Sequence, residues 1–246
     1  WEAKAKEGAK GLVRDADDLE HFTRDYAARA PQFCPSVDAT QPVLVGCDFG
    51  STTAKGVVIC SPGELLASIY VQSNGNPIED AKALFPELRS RGYTRIAALA
   101  LTGYGKDLLN DILGADVAIV ETVAHATAAL NYFPDADVIC DVGGTDVKIM
   151  IIRQRTVADF RLNSQCSSGN GAFLQGVAER YNVPLEQYAE QAFRAKAIPA
   201  LAMGCGVFLQ SDIVNQQGKG WSSEEIMASL AAVLPLNVWV YAGQLQ

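Results

Sequence analysis

The sequence predicts an α/β protein made of two similar lobes, and three observations lead to this fold class. From Val43 onward, three β-rich runs are followed by alternating helical and β-rich segments, in the order β-β-β-α-β-α. A second set of strands then begins with "DVICDVGGTDVKIMIIRQRTVADFRL", and the rest of the chain is mainly helical. Both sets contain the pattern D-x-G-[SG]-T-x-x-K, as "DFGSTTAK" at 48–55 and "DVGGTDVK" at 141–148. This internal repeat predicts two copies of one lobe that face a cleft.

The elements are expected in the following order. Residues 1–41 form a helical N-terminal segment and the proline-containing linker "APQFCPSVDATQP". The first lobe covers 42–134: "VLVGCDFG", "AKGVVIC" and "ELLASIYVQ" form an antiparallel meander, followed by a helix at about 78–91, the strand "RIAALALTG", another helix and "DVAIVE". The second lobe covers 135–246 and is truncated at its C-terminus, where the last residues still have a helical pattern. Because the chain also begins without Met, we expect it to be a piece of a longer protein.

The composition narrows the functional class. Of the 246 residues, 49% are hydrophobic, which is enough to fill a sizeable core. The net charge of -8 lacks the basic footprint of a nucleic-acid-binding protein, so no nucleic-acid partner is expected. No apolar run approaches the roughly 18–20 residues of a membrane span, so we expect a cytoplasmic protein that does not bind a membrane. Six cysteines without C-x-x-C spacing favour a reducing compartment.

The two D-x-G segments are predicted to bind phosphate. In each, a strand ends in an aspartate, and a glycine-containing turn lets backbone N–H groups approach an anion. The phosphate-binding residues assigned on this basis are Asp48, Gly50, Ser51, Thr52, Thr53, Gly143, Gly144 and Thr145. Asp48 and Asp141, at the strand ends, are predicted to hold Mg²⁺ directly or through water. An ordinary hairpin with an Asx-type turn is the alternative for either segment alone, and recurrence in both lobes weakens it. Lys55 and Lys148 are expected to point along the second strand and not toward phosphate.

Two cysteines differ from the others in their surroundings. Cys166 in "NSQCSSGNGAF" and Cys205 in "AMGCGVFLQS" each lie in a Ser/Gly turn just before an amphipathic helix, where the helix N-terminus stabilises a thiolate. Zinc and [4Fe–4S] centres usually need four ligands, and two chains on a twofold axis would supply them. A buried cysteine at a helix start and a redox-sensing thiol remain open alternatives. The remaining cysteines are given no function, and these are Cys34, Cys47, Cys60 and Cys140.

The paired loops resemble the phosphate-1 and phosphate-2 motifs of the superfamily of acetate and sugar kinases, heat-shock chaperones and actin. The resemblance implies two ribonuclease H-like lobes of the actin-like ATPase fold around a cleft for Mg²⁺ and ATP or ADP. "TGYGK" (102–106) and "ETVAHATAA" (121–129) resemble connecting segments of one branch. Glu121 and Asp141 are then the candidate catalytic residues, with Glu121 orienting the attacking water; a carboxylate favoured by the helix dipole explains Glu121 equally well. His125 is interpreted as a packing or hydrogen-bonding residue.

The cysteine segments "CSSGNGAFL" and "CGVFLQS" resemble the cluster-binding motifs of a narrower family, the activators of 2-hydroxyacyl-CoA dehydratases and the ATPase subunits of benzoyl-CoA reductase. In that family, the two cysteines of each protomer jointly hold one [4Fe–4S] cluster between the subunits of a homodimer. ATP then drives a low-potential electron onto the partner enzyme. The resemblance therefore implies an ATP-dependent activator with Cys166 and Cys205 as cluster ligands and an acyl-CoA dehydratase or reductase, or a fused domain, as partner. The long multi-domain members are the most similar.

Three departures from the family pattern keep alternatives open. Thr145 stands where the family generally has Gln, and Gln210 stands where shorter members have an acid. The Gly-Gly adenosine motif expected beyond the last helix is absent, since the sequence stops before it. A small-molecule kinase of the same superfamily and a degenerate ATPase domain that acts as a dimerisation or docking module are the two alternatives.

Overall fold

The structure is a computed structural model, and it describes residues 16–26, 32–34, 41–60, 63–163, 170–202, 204 and 206–239. The described residues divide into two compact units. The first unit comprises those between Arg29 and Ala136, and the second comprises those from Asp137 onward together with the N-terminal helix. Of the predicted N-terminal segment 1–41, only the helix α1 (Ala16–Tyr26), residues 32–34 and residue 41 are described.

The first unit contains a five-stranded sheet with the order β3-β2-β1-β4-β5. Its strands are β1 (Val43–Phe49), β2 (Thr53–Ile59), β3 (Leu65–Gln72), β4 (Ile96–Thr102) and β5 (Val117–Ala118). The first three strands pair antiparallel, which confirms the predicted meander, while β4 runs parallel to β1 and β5 parallel to β4. Its helices are α2 (Pro77–Ser90), α3 (Lys106–Leu113) and α4 (Glu121–Tyr132).

The sequence of the first unit explains its core. Alternate residues of β1 are buried, from Val43 to Phe49, because successive side chains of a strand point to opposite faces. On α2, the apolar residues Leu84 and Leu88 are almost fully buried in the same core. The side chain of Asn76 caps α2 by accepting two backbone N–H bonds, and the proline that follows fits the first helical position. The helix predicted at about 78–91 is thereby confirmed.

The second unit begins with a three-stranded antiparallel sheet and continues as helices, which confirms the predicted order. Its strands are β6 (Val138–Val142), β7 (Val147–Arg153) and β8 (Thr156–Asn163), paired in the order β6-β7-β8. Its later helices are α5 (Gly171–Arg180), α6 (Tyr188–Phe193), α7 (Gly206–Gly218) and α8 (Ser223–Asn237). The apolar faces of α5, α7 and α8 form one core around residues such as Val177, Leu209 and Ile226. A capping box between Ser222 and Glu225 fixes the start of α8.

No helix in the described part of the chain combines the length and the apolar character that crossing a bilayer requires.

Candidate functional site

The two D-x-G segments fold into the same hairpin. We call residues 48–55 loop 1 and residues 141–148 loop 2. In loop 1 the N–H of Gly50 donates to the carbonyl of Thr53 at 3.0 Å, and in loop 2 the N–H of Gly143 donates to the carbonyl of Asp146 at 2.8 Å. A Cβ atom at Gly50 would lie 2.9 Å from the Thr53 carbonyl, and one at Gly143 would lie 2.8 Å from the Asp146 carboxylate. A larger residue at position 50 would therefore open the turn of loop 1, whereas one at position 143 would first displace the Asp146 side chain.

The two lysines of the repeat pair with acidic groups, although the sequence interpretation had them only pointing along the strand. Lys55 contacts Asp48 at 3.1 Å, directly across the hairpin. Lys148 contacts Asp146 at 3.1 Å and Asp141 at 3.7 Å. The Lys148 side chain is only 9% exposed, whereas that of Lys55 is 47% exposed. Sequence reasoning missed this role, and the available signal was the recurrence of Asp and Lys at opposite ends of both motifs.

The other predicted residues of the loops lie around these hairpins. Ser51 is exposed in the turn of loop 1, and the carbonyl of the half-buried Thr52 accepts the N–H of Ser73 at 2.9 Å. Thr53 begins β2. Thr145 is exposed near the tip of loop 2. The hydroxyl groups of both turns are thus close to the backbone N–H groups that were predicted to bind phosphate.

In the first unit, the end of β1 meets the start of α4. Asp48, Glu121 and His125 each offer one ligand atom, and these atoms all lie within 4.8 Å of one another. All three residues are half-buried. One carboxylate oxygen of Asp48, Oδ2, contacts Lys55, while the other, Oδ1, is buried without a hydrogen-bond partner among the described residues. The structure therefore brings together the predicted residues Asp48 and Glu121 and adds His125 to them.

The segment "TGYGK" closes against this aspartate. Gly103 has a φ of +87°, and a Cβ atom there would lie 2.5 Å from the carbonyl oxygen of Phe49 and 2.7 Å from Oδ1 of Asp48. The buried hydroxyl of Thr102 donates to the carbonyl of Ile119 at 3.0 Å, just before α4 begins. Only glycine fits this close approach. The segment links β4 to α3, and the N–H of Gly105 donates to the carbonyl of Phe49 at the end of β1 at 3.3 Å.

In the second unit, loop 2 is hydrogen-bonded to the start of α5. The N–H of Gly171 donates to the carbonyl of Gly143 at 3.0 Å, and the N–H of Ala172 donates to the carbonyl of Gly144 at 2.9 Å. The buried side chain of Asn170 caps the helix by accepting the N–H of its third residue at 3.2 Å. N–H groups that a helix start leaves without an intrahelical partner are therefore bonded to the predicted phosphate loop.

The start of α7 is anchored by α8. Gly204, with a φ of +118°, donates its N–H to the Asn237 side chain at 2.8 Å, and the same buried carboxamide donates back to the Gly204 carbonyl at 3.5 Å. Arg180 on α5 donates to Gln210 on α7 at 2.6 Å. The helices that follow the two cysteine segments are thus joined by a side-chain hydrogen bond.

The chain matches one protein family over most of its length. The sequence profile of the BadF/BadG/BcrA/BcrD ATPase family covers residues 45–246. The chain belongs to this ATPase family. The (R)-2-hydroxyglutaryl-CoA dehydratase activating ATPase of Acidaminococcus fermentans is 28% identical over 188 residues, which cover 76% of this chain and 72% of that protein. The 2-hydroxyisocaproyl-CoA dehydratase activator of Clostridioides difficile is 26% identical over 76% of this chain and 70% of that protein.

A solved structure shares the fold of this ATPase-family chain. Component A of the (R)-2-hydroxyglutaryl-CoA dehydratase of Acidaminococcus fermentans matches with a TM-score of 0.70 and 25% identity, over 84% of this chain and 80% of that chain. The α/β, actin-like ATPase fold class and the family resemblance inferred from the sequence are therefore confirmed.

The cysteines of this ATPase-family chain fall into two groups. The predicted ligands Cys166 and Cys205 lie outside the described residues. Cys47 is buried, and burial, together with the charge of Asp48, raises the pKa of its thiol to about 12. Its thiol therefore remains protonated at neutral pH. Cys34 is half-buried, Cys60 is buried and Cys140 is exposed.

Proposed function

We propose that the protein is an ATP-dependent activator that passes low-potential electrons from a [4Fe–4S] cluster to an acyl-CoA dehydratase or reductase. Membership of the ATPase family supports nucleotide binding, and the relatives named above are dehydratase activators. The single observation that carries the proposal is the pair of hydrogen bonds that the N–H groups of Gly171 and Ala172, at the start of α5, donate to the carbonyls of Gly143 and Gly144. These bonds join a phosphate loop to the helix that follows the first cysteine segment.

Each loop is equipped to bind phosphate oxygens. We infer that backbone N–H groups and hydroxyls at the turns of loop 1 and loop 2 form an anion-binding nest. Asp48 and Asp141 end the strands before these turns. The buried oxygen Oδ1 of Asp48, with no hydrogen-bond partner in the described part of the chain, fits a hard cation such as Mg²⁺. When bound, Mg²⁺ neutralises phosphate charge, and Glu121 lies near enough to Asp48 to orient a water molecule.

We assign Cys166 and Cys205 as the cluster ligands on the strength of the sequence. α5 begins at Gly171, shortly after Cys166, and α7 begins at Gly206, directly after Cys205. Helix N-termini favour negative charge, so both helix starts stabilise thiolates. Two cysteines from each of two chains give the four ligands that a [4Fe–4S] cluster requires. A cluster supplies one electron at low potential.

Coupling between nucleotide and cluster needs two conformations that bind nucleotide with different affinity. A change in loop 2 reaches the start of α5 through its two backbone hydrogen bonds. The same conformational change passes from the end of α5 to α7 through the hydrogen bond between Arg180 and Gln210. Shorter family members have an acid at position 210, and Gln210 still accepts a hydrogen bond from Arg180.

Anaerobic purification tests this function. We expect the protein to contain iron and acid-labile sulfide and to show visible iron–sulfur absorption. Cys166→Ala and Cys205→Ala should each abolish that absorption, whereas Cys140→Ala, which changes an exposed cysteine, should retain it. An unchanged spectrum in Cys166→Ala would rule out the cluster assignment. The kinase alternative instead predicts a phosphorylated small-molecule product and no iron.

The docking-module alternative is supported by Thr145, which is exposed near the tip of loop 2 where the family generally has Gln. It predicts that the protein dimerises but does not bind ATP. Calorimetric titration with Mg-ATP separates the two functions, since the activator requires nucleotide binding even when hydrolysis is slow.

A further inference from the structure

We propose that Asp48, Glu121 and His125 form a site for a divalent transition-metal ion, of the series from Mn²⁺ to Zn²⁺, that fills in the absence of nucleotide. The proposal requires neither the iron–sulfur cluster nor the cysteines. The proposed site uses Asp48, which is also a proposed Mg²⁺ ligand. It adds a nitrogen ligand, His125, which changes the metal that the site prefers.

The backbone sets the three ligands in one place. Glu121 and His125 are four residues apart on α4, so their side chains lie on the same face of the helix. Asp48 reaches them from the end of β1, and the three ligand atoms lie within 4.8 Å of one another. Ligand atoms bound to a common ion at about 2.1 Å are about 3 to 3.5 Å apart. Small side-chain rotations would therefore bring all three within coordinating distance.

Asp48 has a geometric reason to accept a cation. Its oxygen Oδ2 contacts Lys55 at 3.1 Å, whereas the buried Oδ1 has no hydrogen-bond partner among the residues that the structure describes. A buried carboxylate oxygen without a donor is costly, and a metal ion would remove that cost. Gly103 lies against Oδ1, which limits how far the carboxylate can turn away.

The charges around the cluster attract a cation, because they sum to -1 before one binds. Asp48 and Glu121 contribute two negative charges, and Lys55 offsets one of them on the solvent side. Imidazole binds a metal ion in its neutral form, so His125 would add a ligand without adding charge. Because all three ligands are half-buried, their attraction for a cation is stronger than that of exposed carboxylates.

The histidine decides which metal is favoured. Mg²⁺ prefers oxygen ligands and retains much of its water, whereas imidazole nitrogen suits the later first-row metals. Two carboxylates and one imidazole thus favour Mn²⁺, Fe²⁺, Co²⁺ or Zn²⁺ over Mg²⁺. Three protein ligands also leave coordination positions open for water or phosphate oxygen.

Titration of metal-free, nucleotide-free protein with Mn²⁺, followed by electron paramagnetic resonance, tests the site. We expect one Mn²⁺ per chain with hyperfine coupling to an imidazole nitrogen. His125→Ala should remove the nitrogen coupling and weaken Zn²⁺ binding by about tenfold or more. His21→Ala is the matched control, because His21 is the other of the two histidines and is exposed on α1. It should retain the coupling.

Two further samples make the outcome decisive. His125→Gln retains a polar side chain of similar size, so loss of the nitrogen coupling in that variant, with an unchanged circular dichroism spectrum, excludes misfolding as the cause. Cys166→Ala should bind Mn²⁺ as the wild type does, which keeps this proposal separable from the cluster assignment. Nitrogen coupling that persists in His125→Ala, or wild-type protein that binds Mn²⁺ through oxygen alone or not at all, would overturn the site.

Discussion

At the scale of single residues, the lysines of the two loops should differ in how much they contribute to stability. Lys148 is nearly buried against Asp141 and Asp146, whereas Lys55 is half-exposed beside Asp48. We predict that Lys148→Met lowers the free energy of unfolding by about 3 kcal/mol, because it removes a buried cation from two carboxylates. Lys55→Met should cost about 1 kcal/mol or less, since exposed ion pairs contribute little. Urea denaturation measures both, and equal losses would contradict the difference in burial.

Gly103 provides a second test at a single residue. Gly103→Ala places a Cβ atom against the backbone at Phe49 and against Asp48, and it forces alanine to adopt a φ of +87°. We expect a loss of about 3 kcal/mol in stability, from overpacking added to backbone strain, together with weaker Mg-ATP binding. The matched control is Gly114→Ala at the end of α3, where φ is +61° but an added Cβ atom would meet no other part of the structure within 4 Å. It should cost about 1 kcal/mol and leave nucleotide affinity unchanged.

Thr145 offers a gain-of-function test. Because the family generally has Gln at this position, Thr145→Gln should restore a group that orients water or Mg²⁺ at loop 2. The side chain is exposed, so the larger residue fits without repacking. We expect the rate of ATP hydrolysis to rise about tenfold or more, since a positioned general acid–base group typically contributes about 10²–10⁴-fold. A steady-state phosphate-release assay measures this, and an unchanged rate with intact ATP binding would show that this position does not limit hydrolysis.

At the scale of elements, the sequence predicted the strands, the helices and their turns, but it did not predict contacts between residues that are distant in the chain. Strand alternation and turn residues located the meander, and the repeated motif identified two equivalent hairpins. The meeting of Asp48 with Glu121 and His125 depends on the parallel pairing of β1, β4 and β5, which periodicity alone does not specify. The capping role of Asn170 could have been predicted from the sequence, because Asn before a helix is a known N-cap signal. The hydrogen bonds that Gly171 and Ala172 donate to loop 2 could not be predicted from the sequence.

The junction between loop 2 and α5 gives a prediction for one element. In Gly171→Pro, the ring would occupy the place of the N–H hydrogen that points at the Gly143 carbonyl. Proline is otherwise compatible with this site, since position 171 begins the helix and Asn170 is extended, with φ -84° and ψ 168°. We expect the helix to remain while nucleotide no longer alters it.

Hydrogen exchange of the α5 amides, with and without Mg-ATP, measures the effect of Gly171→Pro. Wild-type protein should gain protection at the start of α5 when nucleotide binds, and the proline variant should not. Gly171→Ala is the control, because it retains the N–H and its Cβ would meet loop 2 at an ordinary 3.6 Å. Nucleotide-dependent protection in the proline variant equal to that of the wild type would contradict transmission through this junction.

At the scale of the whole molecule, the proposed cluster shared by two chains would make the oligomeric state depend on iron. The sequence predicts two cluster ligands in each chain, Cys166 and Cys205, so four thiolates require two chains. We predict that anaerobic protein has twice the mass of one chain in light scattering and that chelation of its iron halves this mass. Cys205→Ala should be monomeric from the outset, and Cys140→Ala should behave as the wild type. A dimer that persists after all iron is removed would mean that protein contacts alone hold the chains together, and an iron-loaded monomer would exclude the shared cluster, because one chain would then hold the metal unaided.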